Sequence, residues 1–212
     1  MTALQDAGTQ GNAMVLVQRV LAVGVDGAGA FKSARQIADE HLAQHGSREV
    51  AINRLIATHR RMVGVSGFAL GLGGVLTLPV TIPTDVVTFY ILCGRCAAGV
   101  AHLRGHDIDS DEVRSVILLS LLGAGGAAVV SEMGIQLGEK AAMAALKVLP
   151  GRVFIEINKK VGFRLITKFG QKGVINVVKF VPLVGGVVGG GVNVAAMAGV
   201  GKYAKKNFPG GM

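Results

Sequence analysis

Residues Val63–Thr84 read VGVSGFALGLGGVLTLPVTIPT, an uncharged stretch that is crowded with glycine and interrupted by Pro79 and Pro83. The hydrophobic pattern predicts a helix over residues 47–75. The two prolines end that helix, because each lacks a backbone N–H and disfavours helical geometry in the residue before it. A second apolar helix is predicted over residues 84–104. The stretch therefore predicts a hairpin of two apolar helices joined by a short turn.

The arms of this hairpin suit two environments. Gly67 and Gly71 lie four residues apart on one face, and this spacing of small residues lets another backbone approach closely. Val63–Leu78 is 16 residues long, which gives a helix of ~24 Å against a hydrocarbon core of ~30 Å. The second arm carries Arg95 at its centre. A hairpin that dips into one leaflet, or one buried in a soluble core, fits better than two full membrane spans.

A second uncharged, glycine-rich stretch lies near the other end of the chain, at Phe180–Gly201. Its glycines again include pairs four residues apart, and Lys202, Lys205 and Lys206 follow it, as expected for cations that snorkel beside an apolar segment. Glycine contributes 32 of 212 residues, about twice the usual ~7%, and the mean hydropathy is +0.52. The chain is therefore predicted to be all-α: a glycine-rich helical bundle with apolar helical hairpins that associates with a membrane.

The chain length indicates the number of domains, and the cysteine content indicates the cellular compartment. A chain of 212 residues favours one domain with a sizeable core, with residues 1–12 as a flexible tail and residues 13–208 as a single helical domain. The two cysteines are too few for a secreted disulfide scaffold. Residues 1–12 also lack the positively charged start and apolar run of a secretory signal. These features predict a cytoplasmic location.

The net charge of +9 is very unevenly distributed. Met1–Leu146 holds 11 Lys and Arg against 12 Asp and Glu, whereas Lys147–Met212 holds 11 Lys and Arg against Glu156 alone. The whole positive excess therefore lies in the last third of the chain. Such a segment favours a polyanionic partner, which can be anionic lipid, nucleic acid or an acidic protein.

Arg152–Phe169 is the most informative part of the basic third. Apolar residues recur every four positions along one stripe: Val153, Ile157, Val161, Leu165 and Phe169. Basic residues form a neighbouring ladder at the same spacing, and with Lys159 the predicted binding cations are Lys159, Lys160, Arg164, Lys168 and Lys172. The pattern suits a helix at a membrane interface with its cations outward, and equally an ordinary surface helix on a core.

The sequence Cys93-Gly94-Arg95-Cys96 has the spacing of a redox or zinc motif. A thioredoxin-like site places its first cysteine at a helix N-terminus after a strand, whereas this motif falls in the middle of a predicted helix. Zinc needs further ligands, and His102 lies about half a turn round the helix axis from Cys93. The sequence therefore favours two packed thiols over a redox or zinc site.

The remaining motifs indicate no catalytic or metal site. His41/His45 and His102/His106 each have i, i+4 spacing, but two ligands do not make a metal site, and solvated surface histidines are the favoured interpretation. No serine-nucleophile elbow, Walker A loop or zinc-protease motif is present. The sequence thus predicts no catalytic residue, no metal site and no cofactor.

Two stretches resemble the EcsC protein family. The run GGVLTLPVTIPTD (Gly73–Asp85), with the apolar helix after it and Gly105-His106-Asp107, resembles the first core motif of that family. The run VPLVGGVVGGGVN (Val181–Asn193), which closes in Phe208, resembles its C-terminal motif. The resemblance covers roughly Gly64–Phe208, and it departs from the pattern at Arg104, where an aromatic residue is expected.

The resemblance implies a bacterial, mostly helical protein of a family named after a member encoded beside an exporter-type transporter. It implies no reaction. Asp85 and Asn193 are the polar positions that the two motifs carry over. Each can be a structural hydrogen-bonding residue between helices or part of a binding site.

The sequence therefore predicts a non-enzymatic, membrane-associated protein, peripheral to or partly inserted in the inner membrane. Its partner would be anionic lipid or a membrane protein. An alternative is a lipid-acting enzyme or a carrier of apolar ligands, with a groove between the glycine-rich helices. Nucleic-acid binding by the basic third is disfavoured, because aromatic residues for stacking are only 5% of the chain.

Overall fold

The computed structural model describes residues 11, 13–64, 84–123, 125–135, 143, 149–169 and 182–210, with side-chain surroundings for these ranges apart from 84–86, 167–169 and 182–190. Within them the regular structure is helical, with only an isolated bridge between Ala28 and Phe31. The predicted all-α class is confirmed. The helices are α1 (13–19, which passes into a π-helical turn, Val20–Val25), α2 (Ala34–His45), α3 (Arg48–Gly64), α4 (Thr84–Leu103), α5 (Asp111–Leu121), α6 (Gly125–Glu132), α7 (Gly151–Phe169) and α8 (Pro182–Asn207).

The second arm of the predicted hairpin, α4, lies at the centre of the fold. Every residue from 90 to 101 is buried, and α1, α2, α3, α5 and α8 pack around the helix. α3, the described part of the helix predicted over residues 47–75, packs along α4. Most of the first arm of the predicted hairpin, Val63–Leu78 with Gly67 and Gly71, lies outside the described residues, which end at residue 64 and resume at residue 84. Among the described residues, none of the helices has both the length and the hydropathy to cross a membrane.

Helix boundaries follow local capping chemistry. Gly46 ends α2 with φ 68°, the left-handed conformation that glycine adopts without steric cost, and the Ser110 hydroxyl caps α5 by accepting from the Val113 N–H. The sequence predicts both, with a glycine as the helix stop and a serine before two acidic residues as the N-cap. It also predicts that the second helix begins at Phe31, and this prediction is wrong: Ser33 and Gln36 form a reciprocal capping box that starts α2 at Ala34.

The two helices of the basic third pack on the core differently. α7 lies on α5 and α6 and buries Ile157, Val161 and Leu165, so this part of the apolar stripe faces a core, as in the interpretation of an ordinary surface helix. α8 lies against α3, α4 and α5. Its buried residues in the described half are apolar or small, apart from Asn207: Met197, Val200, Gly201, Ala204 and Asn207.

Glycine allows α1 to approach two helices very closely. A Cβ atom on Gly24, in the π-helical turn, would lie 2.6 Å from the Ile91 carbonyl oxygen of α4. A Cβ on Gly162 of α7 would lie 2.9 Å from the Ala13 carbonyl oxygen of α1. Both obstacles are backbone atoms, which cannot turn away as a side chain can. α1 is therefore held between α4 and α7 at contacts that only glycine permits.

We expect Gly24→Ala and Gly191→Ala, which make the same chemical change, to shift stability in opposite directions. The new methyl at residue 24 forces α1 away from α4, and overpacking of this kind costs about 1–3 kcal/mol. A Cβ on Gly191, in α8, meets no atom within 4 Å, so alanine there gains about 1 kcal/mol from helix propensity alone. Urea unfolding followed by circular dichroism measures both shifts. Equal shifts of the two variants would show that the Gly24 contact does not limit packing.

Surface ion pairs connect the loop after α1 and the start of α2 to α5 and the turn before it. Arg114 donates to Asp26 at 2.8 Å and to Asp109 at 3.2 Å, and Arg35 pairs with the same Asp109 carboxylate. The hydrogen bond from Arg35 lowers the pKa of Asp109 from its ordinary value. Because Arg35 and both carboxylates are exposed, while Arg114 is partly buried, each pair contributes at most about 1 kcal/mol. These ion pairs therefore position the loops more than they stabilise the fold.

Candidate functional site

The outward surface of α7 combines cations with exposed apolar side chains. We call Arg152, Ile155, Lys159 and Phe163 the α7 outer face; all four are exposed. Ile155, Lys159 and Phe163 follow one another at four-residue intervals, which places them on one side of the helix. Ile155 is 56% exposed and Phe163 44%. The helix thus presents apolar groups on both sides of a lysine, opposite its buried stripe.

The predicted cations occupy different positions around this helix. Lys159 is exposed and Lys160 is half-buried at the flank. Arg164 pairs with Glu132 of α6, so part of its charge is already compensated. Lys168 lies in α7 with its side chain outside the described residues, and Lys172 lies outside them altogether. Lys159 is therefore the predicted cation most clearly turned away from the core.

Sequence reasoning missed the apolar part of the α7 outer face. The stripe of Ile157, Val161 and Leu165 is enough to explain how the helix is buried, so the other apolar residues of the helix received no prediction. A second set of large apolar residues, Ile155 and Phe163, remains at a spacing of eight. Large apolar side chains left over after the core stripe is assigned are the signal that identifies such a face.

The two polar positions carried over from the family resemblance lie on other helices. Asp85 is the second residue of α4, with its side chain outside the described residues, and Asn193 is half-buried in α8. Among the described residues, no hydrogen bond or ion pair joins Asn193 to the cations of α7. Within the described part of the chain, Asn193 therefore does not form one site with the basic ladder.

The two cysteines are packed in the interior, as predicted. Cys93 and Cys96 are both free and fully buried in α4. Burial raises the pKa of Cys93 well above its ordinary value and that of Cys96 to about 12. Because the thiolate is the nucleophile and the metal ligand, both thiols stay in their unreactive form. This chemistry disfavours the redox and zinc interpretations.

The predicted histidine pairs are half-buried rather than fully solvated, and they make contacts within the fold. The His102 Nε2 atom lies 2.8 Å from a carboxylate oxygen of Asp39, and the His106 Nε2 atom donates to the Pro209 carbonyl at 2.9 Å. His41 and His45 stack with ring centroids 5.9 Å apart. Among the residues that the structure describes, no three ligating side chains converge on a metal position.

A buried arginine of α4 has neutral partners. The Arg95 side chain is 4% exposed, and its Nε donates to His59 Nε2 at 3.1 Å. One terminal nitrogen meets the Met62 sulfur at 3.5 Å, and Cζ lies 4.2 Å from the centroid of the Phe31 ring. Among the described residues, no carboxylate pairs with Arg95. We call Arg95, His59, Met62 and Phe31 the Arg95 cluster.

The hydrogen bonds of His59 fix its tautomer. Its Nδ1 lies 2.9 Å from the Leu55 carbonyl oxygen, which can only accept, so Nδ1 carries the proton. Nε2 must then accept from Arg95, and the ring is neutral. Burial, and next the charge of Arg95, lower the pKa of His59 to about 3.

Arg95 remains a cation at neutral pH. Burial lowers the pKa of its guanidinium to about 10, which is still well above 7. A buried charge without a charged partner is costly, and the described partners of Arg95 are a neutral imidazole, an aromatic face and a thioether. The sequence signal for this cluster was a lone cation in the middle of an apolar helix, and sequence reasoning used it only as an obstacle to membrane crossing.

Comparisons of the chain with protein-family models, with curated proteins and with solved structures find no match. The functional argument therefore depends on the two sites themselves. The α7 outer face presents charge and apolar surface to the outside, and the Arg95 cluster holds an uncompensated charge inside.

Proposed function

We propose that this chain is a non-enzymatic protein that binds anionic membrane surfaces through the α7 outer face. The observation that carries the proposal is the exposed sequence of Ile155, Lys159 and Phe163 along one side of a helix. Helices that lie in a membrane interface combine large apolar side chains with lysine and arginine. The other large apolar side chains exposed in the described ranges, Val50 and Val192, lie on different helices, α3 and α8.

Insertion of the apolar side chains would supply part of the binding free energy. Full burial of an isoleucine or phenylalanine side chain is worth about 1.5–3 kcal/mol. Ile155 and Phe163 are each about half exposed, so each would add about 1 kcal/mol. This contribution is too small to anchor the protein alone, and it makes binding depend on the charge of the surface.

Electrostatic attraction would supply the rest. A lysine or arginine near an anionic leaflet is worth about 1 kcal/mol. Arg152, Lys159 and Lys160 lie on or beside the α7 outer face, where Glu156 is the opposing charge. Lys168 and Lys172 are the remaining predicted binding cations, with side chains outside the described residues. The resemblance to the bacterial EcsC family, with its link to an exporter-type transporter, is compatible with the cytoplasmic face of the inner membrane as the surface that is bound.

We expect the protein to sediment with phosphatidylglycerol-containing vesicles and to stay in the supernatant with pure phosphatidylcholine vesicles. Replacement of Lys159 and Lys160 by glutamine should weaken binding at low salt about thirtyfold, because two lysines contribute about 2 kcal/mol. Replacement of Ile155 and Phe163 by serine should weaken it by a similar factor. Vesicle co-sedimentation over a lipid titration measures these affinities.

A matched variant controls for total charge. Arg60 and Arg61 are exposed on α3, and their replacement by glutamine removes the same charge from another surface. This variant should keep most of its vesicle affinity. An equal loss in the α3 variant would show that charge alone, and not the α7 outer face, drives binding. Recovery of the wild-type protein in the supernatant with both vesicle types would overturn the proposal.

A further inference from the structure

The terminal nitrogens of Arg95 have unused hydrogen-bonding capacity. A guanidinium carries five N–H groups; one is used by His59 and one meets the Met62 sulfur, which is a weak acceptor. No oxygen or nitrogen of the described residues accepts from the remaining three. The polar atoms that are sealed from solvent without a partner, within the described ranges, belong to other side chains. Arg95 keeps 4% of its surface exposed, and its terminal nitrogens are not among these sealed atoms.

The surroundings of this end define how a ligand would approach. Phe31 and Met62 contact the guanidinium and are themselves only partly buried. The aromatic ring and the thioether are both apolar surfaces. A group that reaches Arg95 from the surface would therefore pass its charged end inward and keep its apolar body against Phe31 and Met62.

The positive charge of Arg95 determines which class of ligand this cluster would bind. We propose that the Arg95 cluster binds a monocarboxylate with an apolar body, whose two oxygens accept from the terminal nitrogens of Arg95. A guanidinium matches the geometry of a carboxylate with two parallel hydrogen bonds. His59 is neutral, so Arg95 presents a single positive charge that a monocarboxylate balances. A phosphate dianion would leave one negative charge uncompensated in the interior. This inference is independent of the proposed membrane binding.

Thermal unfolding with octanoate, octanol and inorganic phosphate tests the proposal. Octanoate should raise Tm by about 3–6 °C at a concentration about ten times its dissociation constant. Octanol has a similar tail without the charge, and phosphate has charge without a tail. Neither should stabilise the protein. If octanol raised Tm as much as octanoate, apolar partitioning would replace the Arg95 site as the explanation. A shift with phosphate alone would overturn the choice of a carboxylate.

Arg95→Met separates binding from folding. Arg95→Met removes a buried charge, but it also leaves the buried Nε2 of His59 without its donor, so the ligand-free variant should unfold a few degrees below the wild-type Tm, and its octanoate shift is measured from its own Tm. The variant should lose that shift. Arg95→Lys keeps the charge without the two parallel donors and should reduce the shift, which keeps the test informative if the methionine variant does not fold. An octanoate shift that survives in either variant at full size would overturn the proposal.

A second pair of variants separates this site from the membrane surface. The variant with Lys159 and Lys160 replaced by glutamine should show the full octanoate shift, since both residues lie on α7. Arg95→Met should in turn keep its affinity for anionic vesicles. Loss of the octanoate shift in the α7 variant would show that octanoate binds the basic surface rather than the Arg95 cluster.

Discussion

Replacement of Phe208 by alanine is expected to lower the free energy of unfolding by about 3–5 kcal/mol, the range for a large aromatic side chain removed from a packed interior. Phe208 is fully buried just beyond the end of α8. Its ring centroid lies 5.3 Å from that of His106, and its N–H donates to the Ala204 carbonyl at 2.8 Å. The side chain therefore joins the last turn of the chain to the turn after α4. Urea unfolding measures the loss.

The matched control for this change is Phe163→Ala, which removes the same atoms from a side chain that is 44% exposed. Less of its apolar surface is withdrawn from water on folding, so the expected loss is below about 1.5 kcal/mol. The same variant also shows whether the α7 outer face can be altered without unfolding. A loss at Phe208 no larger than at Phe163 would mean that the C-terminal turn does not belong to the cooperative core.

Acidification from pH 7 to pH 4 is expected to lower the free energy of unfolding by about 3 kcal/mol through His59 alone. The pKa of His59 falls to about 3 in the folded protein, while an unfolded histidine has a pKa of about 6.5. Between these values the unfolded state binds more protons than the folded state, so stability rises with pH. The contribution of His59 is complete above about pH 6.5 and is lost progressively towards pH 3.

A variant isolates this effect from the other titrating groups. His59→Gln keeps an N–H donor and an oxygen acceptor but cannot titrate, so its stability should change much less between pH 7 and pH 4. His41, whose pKa is also lowered by burial, adds a loss of the same sign in both proteins. Protonation of Asp109 affects stability only at still lower pH, because the pKa of its carboxyl lies below the ordinary value. Identical pH profiles for the wild type and His59→Gln would show that His59 does not set the acid sensitivity.

Local signals in the sequence predicted the helices and their ends. Gly46, Ser110 and the paired prolines act through backbone geometry within a few residues, and the structure agrees at the two that it describes. The inward stripe of α7 was likewise readable, because burial repeats with the period of the helix. A capping box at Ser33 was overlooked, which displaced the predicted start of α2 by three residues.

The candidate sites depended on contacts between distant parts of the chain. Arg95 and His59 are 36 positions apart, and no periodicity links them. The exposure of Ile155 and Phe163 follows from which face of α7 meets α5 and α6, which the sequence of α7 alone does not specify. Sequence patterns locate elements and core stripes, whereas uncompensated charge and exposed apolar groups emerge only when the helices are assembled.

The position of α8 has a consequence for biosynthesis. Its Lys205 donates to Asn53 of α3 at 2.9 Å, across 152 positions of sequence. At about 5–20 residues per second, a ribosome takes roughly eight to thirty seconds to make the chain between these two residues. During that time the nascent α3 and α4 have no α8 to cover them. The surfaces of α3 and α4 that α8 covers in the folded protein are then open to chaperones, and their native packing waits until α8 has left the exit tunnel.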